Sequence, residues 1–303
     1  MKQKSILFTA IVLVMLLVLG ACSVPQSTQS NLSGPADLTI ASKNFTENII
    51  LAHMMADLIE DRTGLKVKRT LNLGGSSITW KALLNNDVQL YPDYTGTIVA
   101  NYYQEETGTA EETLQRTREL ISQDGLEFLE PFGFSNSYAL AVTPETAQKY
   151  NLKTFSDLAK VSHKMELGAE FDFLDRPDTY PGLQELYNMD FKRAKGMDRG
   201  IKYRLIAQND IDVASALTTD GQVKMYDLVL LEDDKQFFPP YDAGAVIRSD
   251  LLEKHPEVGS AINELAGQIS EQDMQEMNAL VDEGYREDIV AREFLIKRGL
   301  LEK

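Results

Sequence analysis

Across residues 46–61 the apolar side chains of Ile49, Ile50, Ala52, Met54, Met55, Leu58 and Ile59 recur at helical spacing, which predicts a helix packed along one face. Thr46 offers an N-cap, Glu47 suits the first turn, and Gly64 ends the run in the manner of a left-handed cap. Residues 38–41 before it and 66–73 after it read as strands. Ser76 or Ser77 can cap a short helix through Leu84, and residues 87–94 form a third strand. This β-α-β-α-β rhythm predicts an α/β lobe with a mostly parallel sheet.

The alternation resumes further on with new elements. Residues 138–142 read as a strand, and Thr143-Pro144-Glu145 opens a helix with proline at its first position. Residues 164–169 read as another strand, 176–182 as a loop, and a helix follows from Leu183. Residues 211–214 are a buried strand, and 260–269, 271–282 and 287–300 are helices. No internal repeat is visible. Two α/β lobes are the economical reading, and a cleft between lobes is a favoured place for a small ligand.

The start of the chain follows a different pattern. Lys2 and Lys4 precede a run over residues 6–19 that is apolar apart from Thr9 and has the length of an export signal. It falls short of the roughly 20 apolar residues that a comfortable membrane span needs. Cys22, the single cysteine, follows directly after Leu19-Gly20-Ala21. Small residues before a cysteine at this place resemble the lipobox of bacterial lipoproteins. On that reading residues 1–21 are removed and Cys22 carries acyl chains that hold the protein on a membrane. The alternative is an ordinary secretory signal that happens to end near a cysteine; no second cysteine is present to make a disulfide. Residues 23–36 are Ser, Gln, Thr, Pro and Gly with almost no apolar content. Residues 22–36 therefore read as a lipidated, flexible tether to a folded region that begins near Asp37.

Composition narrows the function. With 43% hydrophobic and 25% charged residues the chain is ordinary for a globular protein. A formal charge of -16 argues against nucleic acid and against adhesion to anionic lipid. The same charge suits a basic protein partner or a cationic ligand. His53, His163 and His255 are scattered without metal-ligand spacing, so no metal and no cofactor is expected. No Gly-x-Ser-x-Gly elbow, phosphate loop or Cys/His arrangement is present. Nothing among the 46 acidic residues singles out a catalytic carboxylate pair, so an envelope hydrolase is a weak reading, and an adhesin or structural lipoprotein is a third.

Four loop-like stretches are dense in aromatic, hydroxyl or cationic groups. They are Ser42-Lys43-Asn44-Phe45, the segment from Tyr91 to Thr97, Phe134-Ser135-Asn136-Ser137-Tyr138, and the segment from Gln236 to Asp242. Asp175-Arg176-Pro177 adds a guanidinium beside a rigid turn. Each adjoins a strand, where open α/β sheets carry their binding groups. Tyrosine faces attract a cation that has no N–H to donate, as in aromatic cages for quaternary ammonium. Taken singly, each tyrosine also fits an ordinary core edge with its hydroxyl in water. Lys43 also fits a solvated surface site, and Arg176 a pair with a surface acid.

In order along the chain, SKNFTEN at 42–48, YPDYTGT at 91–97, FSNSYALAVT at 134–143, DRPDTYPGL at 175–183, TTDGQ at 218–222 and DDKQFFPPYDAGAV at 233–246 resemble the substrate-binding lipoproteins of ABC importers for osmoprotectants. Those proteins carry glycine betaine, carnitine, choline and related quaternary amines. The resemblance implies a two-lobed periplasmic-binding-protein fold of type II-like architecture that closes on its ligand. It implies a first lobe of 37–134 plus 244–303 and a second of 135–243. It implies a monomer, not an enzyme, that hands its ligand to an ABC permease and its ATPase subunit.

Carried over by position, Tyr94, Tyr138 and Tyr241 match the cage, with Asn136 offering a backbone carbonyl near the ammonium. Tyr91 lies three residues from Tyr94, so in a strand the two point to opposite faces, and Tyr91 is assigned to packing. Lys43, Thr97 and Arg176 match the set that holds a betaine carboxylate, Arg176 suiting a planar group. Leu217 stands where many relatives carry an aromatic before the Thr-Asp-Gly turn. It leaves one cage wall without a ring, or supplied from elsewhere, and room for a bulkier trimethylammonium compound. A carrier for another cationic or betaine-type solute, such as a histidine-derived betaine or a polyamine, is the alternative.

Overall fold

A computed structural model describes residues 35–175 and 179–302. The expected signal segment 1–21, Cys22, nearly all of the tether and Arg176 lie outside the described residues. No described helix is long and apolar enough to cross a membrane.

Two five-stranded sheets organise the chain. In the first, β1 (Leu38–Lys43), β2 (Val67–Gly74), β3 (Leu90–Tyr94), β4 (Leu126–Phe128) and β10 (Ala243–Arg248) lie in the order β2-β1-β3-β10-β4. In the second, β5 (Tyr138–Val142), β6 (Glu166–Ala169), β7 (Arg193–Gly196), β8 (Val213–Leu217) and β9 (Val229–Leu231) lie in the order β7-β6-β8-β5-β9. The two orders correspond strand for strand. β1 runs parallel to β2 and β3, and β6 parallel to β7 and β8. β10 is antiparallel to β3 and β4, and β5 is antiparallel to β8 and β9. Each sheet is therefore mixed where a mostly parallel one was expected. The reversed strand in each is the one that enters directly from the other sheet, so it starts where its neighbours end.

Both faces of each sheet are covered. Ile40, Leu90 and Tyr94 belong to one apolar cluster with the Thr46–Thr63 helix, while Ala41, Tyr91 and Val246 belong to a second with Trp80. Period-2 alternation along β3 thus sends Tyr91 and Tyr94 to opposite sides.

Several element ends differ from the sequence expectation, each for a local reason. Thr46 is already helical, and Phe45 occupies the cap position with no side-chain cap bond; the Asn48 side chain instead reaches back to accept from the Lys43 N–H at 2.6 Å. Gly75 rather than a serine precedes the Ser76–Leu84 helix. The helix expected from Leu183 begins at Tyr180, because Pro181 fits a first turn whose N–H groups have no intrahelical acceptor. β8 starts and ends later than residues 211–214 and so reaches Leu217. The expected helix 260–269 is Pro256–Asn263, and Gly267 beyond it takes a left-handed φ of 65°.

The second sheet's half touches the helices of the first through Gly221. A Cβ at Gly221 would lie 2.6 Å from the Ala279 nitrogen and 2.9 Å from the Ala279 Cα, both backbone atoms that cannot rotate away. Gly221→Ala is expected to cost about 1–3 kcal/mol by overpacking, read from urea unfolding. Gly200→Ala, in a helix with nothing within 4 Å of the new methyl, serves as the control and should stabilise slightly.

Candidate functional site

The correspondence between the sheets places particular residues at facing ends. β1 and β3 finish at Lys43 and Tyr94, β8 finishes at Leu217, and β5 begins at Tyr138. In register, Tyr138 pairs with Leu217 and Ala243 pairs with Tyr94. Between the sheets the two crossing segments bind each other. Ser135 and Asp242 form a bridge, the Asn136 N–H donates to the Tyr241 carbonyl at 3.0 Å, and the Tyr241 N–H donates to Ser135 Oγ at 2.9 Å.

These ends enclose a cleft of about 600 Å3. Lys43, Tyr94, Thr97, Asn136, Tyr138, Leu217 and Tyr241 all line it. Of the ligand-contacting residues expected from the sequence, only Arg176, outside the described residues, is not among them. Thr97 opens a π-helical turn over Thr97–Tyr102, which also brings Ala100 and Asn101 to the wall.

Beneath the cleft lies a buried polar hub. Lys43 Nζ is 2.5 Å from Asp93 Oδ1, with the two side chains 3% and 0% exposed. The Tyr91 and Tyr102 hydroxyls donate to Asp93 Oδ2 at 2.5 and 2.9 Å, and the Tyr94 N–H donates to Oδ1 at 2.8 Å. Burial, then the Asp93 charge, pushes the Tyr91 and Tyr102 hydroxyls well above the ordinary phenol range. Trp80 stacks on Tyr102 with ring centroids 4.3 Å apart. The Lys43 ammonium, expected to face a ligand carboxylate, is thus held by Asp93. It also lies 5.3 Å from the Tyr94 ring centroid. The pattern Tyr-Pro-Asp-Tyr shows that an acid is close in sequence but not that it turns under the lysine.

A second hub stands behind the same ring. The Tyr94 hydroxyl donates to Glu47 Oε1 at 2.6 Å, and Asn136 Nδ2 donates to the same oxygen at 2.9 Å. Glu47 is 2% exposed. Burial pushes its carboxyl above the usual carboxylate range, against hydrogen bonds from Thr219, Tyr94, Asn136 and Asn278 that pull it down. Sequence reading placed Glu47 in a helix first turn and missed this role.

Other wall residues were also missed. Phe45 is 37% exposed on the cleft and stacks on Tyr94 at 6.2 Å between centroids. Ser76, Glu105, Glu106, Thr107 and Pro239 complete the lining. Glu105 is paired with Arg116 at 2.6 Å. Tyr138 leans on Phe238 and Phe173, at 5.4 and 5.6 Å, so its ring belongs to the core of the second sheet as well as to the cleft. A smaller cavity of about 210 Å3 is lined by Glu47, Thr219, Asp220, Asn278 and Asp282 among others. Phe45, Asn136 and Leu217 border both cavities and form the partition between them. Phe45 was visible only as one apolar residue in a polar stretch after a strand.

Comparison with known proteins agrees with this geometry. Residues 36–297 match the family described as the substrate-binding domain of ABC-type glycine betaine transport systems. The carnitine transport binding protein OpuCC of Listeria monocytogenes is 37% identical over 310 residues, covering 100% of this chain and 99% of its own. The ergothioneine transport permease/ergothioneine binding protein EgtU of Helicobacter pylori is 35% identical over 99% of this chain and 54% of its own longer one. A solved glycine betaine/carnitine/choline ABC transporter structure superposes with a TM-score of 0.85 at 38% identity, over 87% of this chain and 99% of that one. Two sheets with matched strand orders are thus the two lobes of a periplasmic-binding-protein fold, and proteins of this kind bind rather than catalyse. The chain belongs to the family of substrate-binding domains of ABC-type glycine betaine transport systems.

Proposed function

We propose that this substrate-binding protein of a betaine- or carnitine-type ABC transporter captures a zwitterionic quaternary amine in the cleft and delivers it to the permease. The observation that carries this reading is the convergence of Tyr94, Tyr138 and Tyr241 from three separate segments on one cleft. Each ring contributes about 0.5–2 kcal/mol toward a desolvated cation. Three or four rings, Phe45 being the fourth, supply a large part of the roughly 8 kcal/mol that micromolar binding needs. Thr97 and Arg176 receive the carboxylate, and Lys43, held by Asp93, keeps its ammonium at the cleft wall beside Tyr94. The lobes, 37–134 plus 244–303 and 135–243, close by bending at the paired crossing segments. On the extracytoplasmic side the protein acts as a monomer held by acyl chains on Cys22.

A bulkier betaine is the second reading, and Leu217 favours it. Where a ring would seal the partition, leucine leaves the cleft beside a further cavity of about 210 Å3. The ergothioneine named for the Helicobacter pylori relative is a compound of that class.

Thermal unfolding of residues 37–303 with millimolar glycine betaine, carnitine, choline, ergothioneine or spermidine tests both. A ligand at a hundredfold excess over its Kd adds about 2.7 kcal/mol of stability. A rise of several degrees with carnitine or glycine betaine supports the first reading, and one with ergothioneine alone the second. A flat response to every quaternary amine sinks both.

A further inference from the structure

Among the described residues, Glu47 is a buried carboxylate with no cation paired to it. Tyr94, Asn136 and Asn278 all donate hydrogen bonds to it, the last at 3.5 Å, and these bonds favour the acceptor-only, ionised form against the burial that opposes it. None of the described ion pairs includes it. The other acids close to the cleft differ. Asp93 holds Lys43, Glu105 holds Arg116, and Glu106 is exposed to water. A buried charge without a counterion is costly, and Glu47 lies one phenol ring away from a cleft built of aromatic faces.

We infer that Glu47 is the countercharge of the bound quaternary ammonium and, acting through Tyr94, makes the cleft select a cationic head over a neutral one of the same shape. This rests on the quaternary-amine reading above. Two physical routes lead the same way. The unit charge attracts the ammonium across the ring, where solvent screening is weak. The Tyr94 hydroxyl, by donating to a carboxylate, also gives the ring a more negative face for the cation. Glu47 is thus a positioning and specificity residue that acts behind the cage rather than in contact with the ligand. Its bond to Asn136 in the crossing segment also holds the Tyr94 ring in place relative to the second lobe.

The discriminating probes are glycine betaine and 3,3-dimethylbutanoate, which replaces the cationic nitrogen by carbon and keeps the shape and the carboxylate. Their Kd values are measured by calorimetry, directly and by competition, for the wild-type chain, Glu47→Gln and Tyr94→Phe. Glutamine keeps the size of the side chain and removes the charge. The preference for glycine betaine over its neutral-headed isostere should fall on the order of ten- to thirtyfold in Glu47→Gln. It should fall by a smaller factor in Tyr94→Phe, which keeps both ring and charge but cuts the bond between them. Glu47→Gln weakening both probes alike, or neither, overturns the inference and leaves Glu47 a structural hub. Should Glu47→Gln not fold, an unchanged preference in Tyr94→Phe overturns it. A wild-type chain that binds neither glycine betaine nor carnitine instead removes the quaternary-amine reading itself, and the inference with it.

Discussion

Tyr241→Leu is expected to weaken carnitine and glycine betaine binding by about tenfold or more. Leucine keeps apolar bulk and removes the ring quadrupole, so the loss reads the cation–π part of binding, about 1–2 kcal/mol in a desolvated cleft. The ring also packs against the first sheet's apolar cluster, so part of any stability change belongs to that packing. The bonds that Tyr241 makes across the crossing segments come from its backbone N–H and carbonyl, which the substitution retains. Tyr138→Leu should cost similar affinity and more stability, because that ring packs against Phe173 and Phe238 in the second lobe's core. Combining the two should remove detectable binding at micromolar ligand. A Tyr241→Leu protein with unaltered Kd for every quaternary amine would show that the ring is a lid or a packing group and that the cage is elsewhere.

Much of the arrangement behind this expectation was legible in the sequence, and what escaped has a common physical cause. Helical spacing over residues 46–61 and the left-handed Gly64 located one long helix whose cap has φ 71°, because periodicity and glycine conformation are local properties. Likewise Thr143 caps its helix through its side chain ahead of Pro144. What no local property encodes is strand direction. β5 and β10 look like any other apolar run, and their reversal follows from the chain crossing between lobes. Reading the site met the same limit. The aromatic positions were recognisable because their segments resemble a family, and all of those described line one cleft. The partners of Lys43 and Glu47, Asp93 and Tyr94, escaped the sequence reading because they are 50 and 47 residues away. A charged side chain written beside a strand end is indistinguishable from a surface residue until the tertiary fold supplies, or withholds, its counterion. Phe45 illustrates the converse. Its exposure is what marks it as a wall of the site, and exposure is not written in the sequence.

The largest stability loss is expected from Asp93→Asn. Asp93 is fully buried and takes hydrogen bonds from the Lys43 ammonium, two phenols and one backbone N–H. Asparagine keeps the volume but offers one acceptor oxygen and turns an N–H2 group toward those donors. The Lys43 ammonium, 3% exposed, is then a buried charge without a partner. Removing one member of such a pair typically costs about 3–5 kcal/mol, a large share of the roughly 5–15 kcal/mol that holds a domain folded. Urea unfolding should therefore show a much lower midpoint with an unchanged slope. Lys43→Met removes the stranded cation while leaving Asp93 its three other donors, so by itself it should cost less. In the Lys43→Met background the same Asp93→Asn change loses its electrostatic part, and the two substitutions should couple by about 0.5–3 kcal/mol. Equal losses in both backgrounds would mean that Asp93 acts through its tyrosines alone. Coupling in the expected range instead makes the ion pair the member that holds β1 against β3 beneath the cleft. The wall formed by Lys43 and Tyr94 then owes its shape to a charge that the ligand never meets.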